Sequence, residues 1–352
     1  MADDDSSPIE VSPFAVPWSR LTVRPISATI DLGALSHNYE LVRRRAPASK
    51  VMAVIKANAY GHGLMRAARA LADADGFALV ELDAAVRLRE AGYRQRIALL
   101  EGFFEVRELA VIVEYKLATV LHSMEQLDML QELPAGAALD VLLKLNSGMN
   151  RLGLQPGEFA AALARLRAHP GVDTITLATH FANADDARGV AWQLETLNTV
   201  AGSEPLPRSL ANSAAILRYP ETHADWVRPG IMLYGCSPFA ESIASDLGLK
   251  PAMTLASEII SVRDLAPGDT VGYGGIYAAE KAMRIGVVAC GYADGYPRHA
   301  ASGSPVLVDG RLTRTVGRVS MDMLSVDLRG IDARVGTRVV LWGEGNPVEH
   351  VA

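Results

Sequence analysis

Hydrophobic residues along this chain fall into short runs, and between the runs lie stretches in which apolar positions recur at helical spacing. From residue 33 to 245 the runs VMAVIK (51–56), GFALVEL (76–82), RIALLEG (96–102), LATVLHS (117–123), LDVLLKLN (139–146), TITLATHF (174–181), RSLAN (208–212) and DWVRPG (225–230) read as strands. Residues 82–91, 106–115, 124–133 and 159–168 read as helices, and in the last of these Phe159, Leu163 and Leu166 share one face. Strand and helix in alternation predict a parallel sheet with crossover helices. Eight strands within about 215 residues suit closure into a (β/α)8 TIM-type barrel, although an open doubly wound sheet gives similar spacing.

After residue 247 the pattern changes. MTLASEIISVRDL (253–265), DTVGYGGIY (269–277), MRIGVVACGY (283–292), SPVLVDGRLTRTVGRVSMDMLSVDL (304–328) and TRVVLWG (337–343) are β-rich runs separated by Gly, Pro and Asp turns. The expected organisation is a mobile extension over 1–22, a strand over 23–32 pairing with the β domain, a barrel over 33–245, and a mainly-β domain over 246–352.

Composition narrows the function classes. The chain has 352 residues, 49% of them hydrophobic, with 21% charged and a net charge of -6, so it carries no basic field for nucleic acid or acidic lipid. Its apolar runs are too short and too often broken by charges for a membrane span. Two cysteines, Cys236 and Cys290, give neither a disulfide framework nor metal-ligand spacing, and no metal is expected. The first residues, Met1-Ala2-Asp3-Asp4-Asp5, are acidic where a signal peptide is basic, so a cytoplasmic location is expected.

The chemistry concentrates at strand ends, where a parallel barrel forms its active site. Lys56 closes the apolar run from Val51 to Ile55. A lysine is almost never buried uncompensated, and desolvation turns its amine into a nucleophile able to form a Schiff base. After the seventh strand, Asn212-Ser213 offers a helix start, either as a plain cap or as a phosphate site; after the eighth, Arg228-Pro229-Gly230-Ile231 offers a cation followed by exposed backbone. A carbonyl compound with a phosphate handle, bound to a lysine, describes pyridoxal phosphate. Arg151, in the loop after the fifth strand, has the fork geometry of a carboxylate clamp. His180, at the end of the sixth, is placed to face a cofactor ring.

KANAYGHG (56–63), SGMNRLG (147–153), THFANAD (179–185), ANSAA (211–215), WVRPGIMLYG (226–235), VGYG (271–274), GYADGYPR (291–298) and VGRVSMDML (316–324) together resemble the alanine racemase family, in the family's order and from about residue 25 to the end. The resemblance implies a pyridoxal-phosphate enzyme, a barrel followed by a β domain, that interconverts L- and D-alanine for peptidoglycan supply or alanine catabolism. It implies that Lys56 bonds the cofactor and acts as one catalytic base, and that Tyr292 is the second base on the opposite face. Arg228 matches the arginine facing the pyridine nitrogen and His180 the histidine near the ring. Tyr60, Ser213, Gly230 and Ile231 match the phosphate contacts, with Asn212 beside them. Arg151 and the Met321 backbone match the substrate-carboxylate contacts, and Lys144 matches a lysine that is often carbamylated and positions the arginine. A homodimer with shared active sites is implied as well. Racemisation removes a proton from Cα and returns one to the other face, which two bases do more simply than one. A tyrosine titrates near about 10, so Tyr292 needs positive neighbours, and His180 and Arg151 are the candidates.

Two departures from the family pattern stand out: Asn146-Ser147 replace a more usual Asp-Thr, and the chain stops at Ala352, so a β domain shortened at its end is expected. The competing readings are a broader-specificity amino-acid racemase, a decarboxylase on the same two-domain plan, a non-catalytic single-barrel pyridoxal-phosphate-binding protein, and a truncated cofactor-binding protein with little activity. The single-barrel class has no β domain and no counterpart of Tyr292.

Overall fold

A computed structural model of the chain describes residues 24–134 and 136–351. The extension expected over 1–22 lies outside the described residues. The described chain divides into two compact units, residues 28–254 with 342–351, and residues 24–27 with 255–341.

After β1 (Ser27–Ile30) the larger unit runs through α1 (Leu32–Arg45), β2 (Lys50–Val54), α2 (Leu64–Ala70), β3 (Gly76–Leu79), α3 (Leu82–Glu90), β4 (Arg96–Leu99) and α4 (Glu108–Glu114). It continues with β5 (Ala118–Leu121), α5 (Met124–Met129), β6 (Leu139–Lys144), α6 (Phe159–Ala168), β7 (Val172–Ala178), α7 (Ala191–Ala201), β8 (Arg208–Ser209), α8 (Ser213–Arg218) and β9 (Trp226–Val227). Strands β2 to β9 form a closed barrel, sealed where Lys50 and Val51 pair in parallel with Trp226 and Val227. That pairing rules out the open sheet. Each predicted strand is present, and the helices predicted at 82–91, 106–115 and 159–168 fall within a residue or two of α3, α4 and α6. The helix predicted at 124–133 ends at Met129 and tightens into a 3-10 turn over Leu130–Glu132.

Alternation along each strand decides what it packs against. In β2, Val51 and Ala53 join the core between strands and helices, whereas Met52 and Val54 face the barrel interior. The interior is floored at the strands' N-terminal ends by Trp226 and by Arg96, which holds Asp140 through two bonds of 2.7 and 2.6 Å. Further along, the interior contributors are often alanines, namely Ala78, Ala98, Ala118 and Ala178. Small residues there leave room for a cavity at the C-terminal ends.

The smaller unit is an antiparallel sheet built on β10 (Met253–Leu265), β13 (Met283–Val288), β14 (Pro305–Val308), β15 (Arg311–Val316), β16 (Leu324–Asp327) and β17 (Arg338–Trp342), in the order β10-β13-β16-β15-β14-β17. The run at 269–277 forms a ribbon in which β11 (Thr270–Val271) pairs with β12 (Tyr277–Ala278) across a Gly-containing turn. Residues 342–351 fall in the same compact unit as residues 28–254. The Glu349 carboxylate accepts the backbone N–H groups of Ser237 (2.7 Å) and Ala244 (3.0 Å), which ties this segment down. No helix among the described residues is long and apolar enough to cross a membrane.

Candidate active site

A cavity of about 680 Å³ opens at the C-terminal ends of the barrel strands. Lys56 and Tyr60 enter it after β2, Glu101 after β4, Lys144 at the end of β6, and Arg151 from the loop beyond. His180 follows β7, Asn212 and Ser213 follow β8, and Arg228, Gly230 and Ile231 follow β9. The predicted site residues of the barrel therefore converge on one place. Tyr292 and Met321 belong to the other unit and do not line this cavity. Lys56, Lys144, Arg151 and Arg228 outnumber the carboxylates of Glu101 and Asp185 on its wall, so the cavity suits a ligand with more than one negative charge.

Lys56 is half-buried and begins an unusual turn. Ala57, Asn58, Ala59 and Tyr60 all have φ between 52° and 56°, the left-handed region. For residues other than glycine this costs roughly 1–2 kcal/mol each, and such strain is held only where surrounding bonds over-determine it. Those bonds are present. Ala59 N–H donates to the Ile55 carbonyl (3.0 Å) and Gly61 N–H to Ala57 (3.1 Å). Asn58 Oδ1 accepts the Leu64 N–H at 2.8 Å. The Nδ1 of buried His62 faces the carbonyls of Ala59 (3.1 Å) and Tyr60 (3.0 Å), so that nitrogen carries the proton. The turn throws Tyr60 across to β9, where its ring stacks on Tyr234 at 4.6 Å.

There Tyr60 meets the backbone of Gly230: a Cβ at that position would stand 2.7 Å from the Tyr60 hydroxyl. Only glycine lets the phenol and the chain come so close. The Ser213 hydroxyl accepts the N–H of Gly230 (2.8 Å) and of Met232 (3.4 Å). With both lone pairs so used, its own proton is left to donate to a ligand. Asn212 lines the cavity by position, but its side chain caps α8, with Oδ1 accepting the Ala215 N–H at 3.0 Å. The hydroxyls of Tyr60 and Ser213, with the Ile231 N–H beside them, make a cradle of donors, and Gly230 supplies the space for it.

Arg228 is 7% exposed. Its Nη1 donates to the Ser209 carbonyl (2.6 Å) and hydroxyl (2.7 Å), and its Nη2 to the carbonyls of Thr179 (2.6 Å) and Leu210 (3.2 Å). Burial lowers its pKa to about 10, which still leaves it a cation at neutrality. Nη2 also approaches His180 Nδ1 at 3.5 Å. A guanidinium only donates, so Nδ1 is the acceptor and the His180 proton sits on Nε2. Burial first, then the charges of Arg228, Lys144, Arg151 and Lys56, hold His180 down to about 3. This corrects the expectation that His180 supplies positive charge to a neighbouring tyrosine: buried beside four cations, it is neutral.

Burial, with Arg228 and Arg151 nearby, lowers Lys144 to about 8. The loop beyond it is organised by Asn146, whose Oδ1 accepts the N–H groups of Gly148 (3.1 Å) and Asn150 (3.0 Å) and whose Nδ2 donates to Asn150 Oδ1 (2.9 Å). Asn146 and Ser147, met in the sequence as departures from a pattern, are thus structural members of the site. Ser147 Oγ lies 2.7 Å from Thr179 Oγ1 and accepts from Gln193 Nε2 at 3.0 Å. Gln193, fully buried on α7, also donates to the His180 carbonyl (3.0 Å) and accepts the Ala182 N–H (2.7 Å). It stitches the loops after β6 and β7 together, and its only sequence signal is a polar residue at a core position of a helix.

In the smaller unit Tyr292 begins a 3-10 turn, Tyr292–Asp294, and is half-buried. Its N–H donates to the Ser320 carbonyl (3.1 Å), and the Ala293 N–H to that of Met321 (2.8 Å). The Arg298 guanidinium lies 5.6 Å from the centre of the Tyr292 ring. Met321 is 58% exposed.

Comparison with known proteins gives a consistent picture. Residues 30–238 match the alanine racemase N-terminal domain and residues 252–352 the alanine racemase C-terminal domain. The chain is 64% identical over 333 residues to alanine racemase of Nitrosospira multiformis, covering 94% of this chain and 93% of that protein. It is similar to the crystal structure of biosynthetic alanine racemase from Pseudomonas aeruginosa, with a TM-score of 0.91 and 50% identity over 94% of this chain and 93% of the other. The structure of alanine racemase from Acinetobacter baumannii follows with a TM-score of 0.88 and 41% identity, covering 94% of each chain.

Proposed function

Because the chain belongs to the alanine racemase family, we propose that it interconverts L- and D-alanine using pyridoxal phosphate held in the barrel cavity, with Lys56 and Tyr292 as the two bases. The observation that carries this reading is the meeting, in one cavity, of the Lys56 amine, the buried Arg228 guanidinium and the donor cradle of Tyr60 and Ser213 over Gly230. The cradle fits a phosphate dianion in kind, since each polar side-chain group in it has a proton to give, and in space, since a Cβ on Gly230 would fill it. When bound there, pyridoxal phosphate supplies an aldehyde for an amine and a ring that draws in the electron pair left as the Cα proton departs.

The residues divide the remaining work. Arg228, its terminal nitrogens bonded to the barrel, has Nε–H as its remaining donor among the described residues. A permanent cation opposite a ring nitrogen hydrogen-bonds it without surrendering a proton, so that nitrogen stays unprotonated. His180 holds its own proton at Nε2 and stays neutral throughout the physiological range. Arg151, on the cavity wall, orients the substrate carboxylate. Lys144, half neutral near pH 8, is able to add carbon dioxide: an N–C bond forms, a proton leaves to solvent, and the resulting carbamate pairs with Arg151. Adding bicarbonate to enzyme stripped of carbon dioxide should raise its rate, and Lys144→Ala should abolish that response.

Lys56 moves the proton on one face of Cα and Tyr292 on the other. Tyr292 and the Met321 backbone serve the barrel of a second copy, in a homodimer whose every site needs two chains. Exposed apolar side chains on the same unit as Tyr292, Tyr273 at 71% and Ile276 at 54%, support an interface there. Free thiols at Cys236 and Cys290 support a cytoplasmic location.

Borohydride reduction of the cofactor-loaded chain, followed by peptide mass analysis, tests the reading. A pyridoxyl group on Lys56, together with decay of the L-alanine circular dichroism signal to zero, is expected. An adduct on another lysine, or a signal that does not decay, contradicts it.

A further inference from the structure

The turn that carries Tyr292 is held by a residue the reaction does not use. Arg24 donates from Nη1 to Asp294 Oδ1 (2.7 Å), and from Nη2 to Asp294 Oδ2 (3.0 Å) and to the Asp322 carbonyl (2.5 Å). Asp294 in turn closes the Tyr292 turn, its Oδ2 accepting the Gly291 N–H at 2.9 Å. Asp322 is the residue after Met321 in the neighbouring turn. The two turns already touch. A Cβ on Gly291 would lie 2.4 Å from the Ser320 carbonyl oxygen and 2.5 Å from the Asp322 nitrogen, and the Tyr292 and Ala293 N–H groups cross to Ser320 and Met321. One planar guanidinium therefore grips the carboxylate of one turn through both oxygens and the backbone of the other, a geometry that an ammonium does not reproduce.

We infer that Arg24 is a positioning residue for proton transfer at Tyr292, locking the Tyr292 turn and the Met321 turn into one body so that base and carboxylate contact reach the substrate in a fixed relation. The inference rests on the reading of Tyr292 as one of two bases. Without Arg24 the cross-turn backbone bonds remain, but the carboxylate that closes the turn loses its anchor and the Asp322 carbonyl loses its partner. A base displaced in this way slows proton transfer on its own face of Cα and leaves Lys56, on the other face, as it was. The slowed step is removal of the Cα proton for one enantiomer and return of a proton for the other, so both directions slow together while Cα–H cleavage limits the rate more for one enantiomer and less for the other.

Deuterium at Cα reads that asymmetry. With cofactor-loaded enzyme and L- or D-[2-²H]alanine, Arg24→Met should lower kcat about tenfold. It should raise the isotope effect for one enantiomer and lower it for the other, in the same sense as the residual activity of Tyr292→Phe. Arg24→Lys, which keeps the charge but not the fork, should fall between. Amide hydrogen exchange should quicken at 291–295 and 320–323 in Arg24→Met and stay unchanged in the barrel strands. Both isotope effects at the parent values, or unchanged exchange in the two turns, would overturn the inference. If Arg24→Met does not fold, Asp294→Asn gives the same reading, because it keeps an acceptor for Gly291 and removes the ion pair. Tyr292→Phe with parental isotope effects overturns the two-base reading and the role of Arg24 with it. Asymmetry in Tyr292→Phe but not in Arg24→Met or Asp294→Asn overturns the role of Arg24 alone.

Discussion

In the barrel unit Arg228 is 7% exposed and is fixed by carbonyls from three different residues, whereas in the β unit Met321 is 58% exposed and stands on a turn. The barrel holds its polar groups by burying them against backbone acceptors, so position and stability are closely tied there. The β unit presents Tyr292 and Met321 on loop tips, where tight turns and a surface ion pair set the position and little apolar burial depends on them. The difference teaches that equivalent losses of function should have different physical origins in the two units.

The largest effect that sharpens this contrast is on rate. Lys56→Ala should lower racemisation by more than about a thousandfold, and Tyr292→Phe by about a hundred- to ten-thousand-fold. Of the two, only Lys56→Ala should also abolish the borohydride-stable cofactor adduct, as seen by absorbance after denaturation.

Next comes stability. Arg228→Leu strips the buried carbonyls of Thr179 and Leu210 of their donor, while that of Ser209 keeps the Thr179 N–H (3.3 Å), and at roughly 1–3 kcal/mol for each unsatisfied group the barrel should lose at least about 2 kcal/mol. Met321→Ala, at an exposed tip, should stay within about 0.5 kcal/mol of the parent. Urea unfolding of both variants would break the comparison if the two losses were alike.

A smaller effect is expected at Gly230. A Cβ 2.7 Å from the Tyr60 hydroxyl displaces the phenol, so Gly230→Ala should weaken pyridoxal phosphate binding about tenfold, or about 1.4 kcal/mol, by equilibrium dialysis. The smallest effect is on pH dependence. His180 is neutral in the folded barrel down to about 3 but titrates near about 6.5 when unfolded, so the unfolded state binds more protons between those values. The contribution of His180 is fully present above about pH 6.5 and is lost as pH falls toward 3. Thermal unfolding of His180→Gln should accordingly fall less steeply than the parent across that interval, and parallel curves would contradict the neutral assignment.

What the sequence disclosed follows the same division. The strand-end positions of Lys56, Lys144, Arg228 and Ser213 were legible because strand and helix periodicity alone sets where a barrel strand ends, and the family resemblance then supplied their roles. The left-handed turn from Ala57 to Tyr60 was not legible, since alanine has no preference for that region. The contacts that impose the turn include Glu81, whose carboxylate accepts the Ala57 N–H at 3.2 Å from the end of the next strand. The charge state of His180 was misread for a related reason: it depends on burial in the folded barrel and then on Arg228, 48 residues away. Gln193 carried no local mark beyond its polarity, and Arg24 read only as the start of a strand, because each acts on a loop distant in sequence.

The central claim is that each site takes Lys56 from one chain and Tyr292 from another. Co-folding Lys56→Ala with Tyr292→Phe tests it most directly. Random pairing makes half of the dimers mixed, each with one intact and one doubly defective site, so racemisation should recover to about a quarter of the parent rate per chain, from two nearly inactive proteins. A mixture that remains as inactive as its components would place both bases within a single chain and contradict the account.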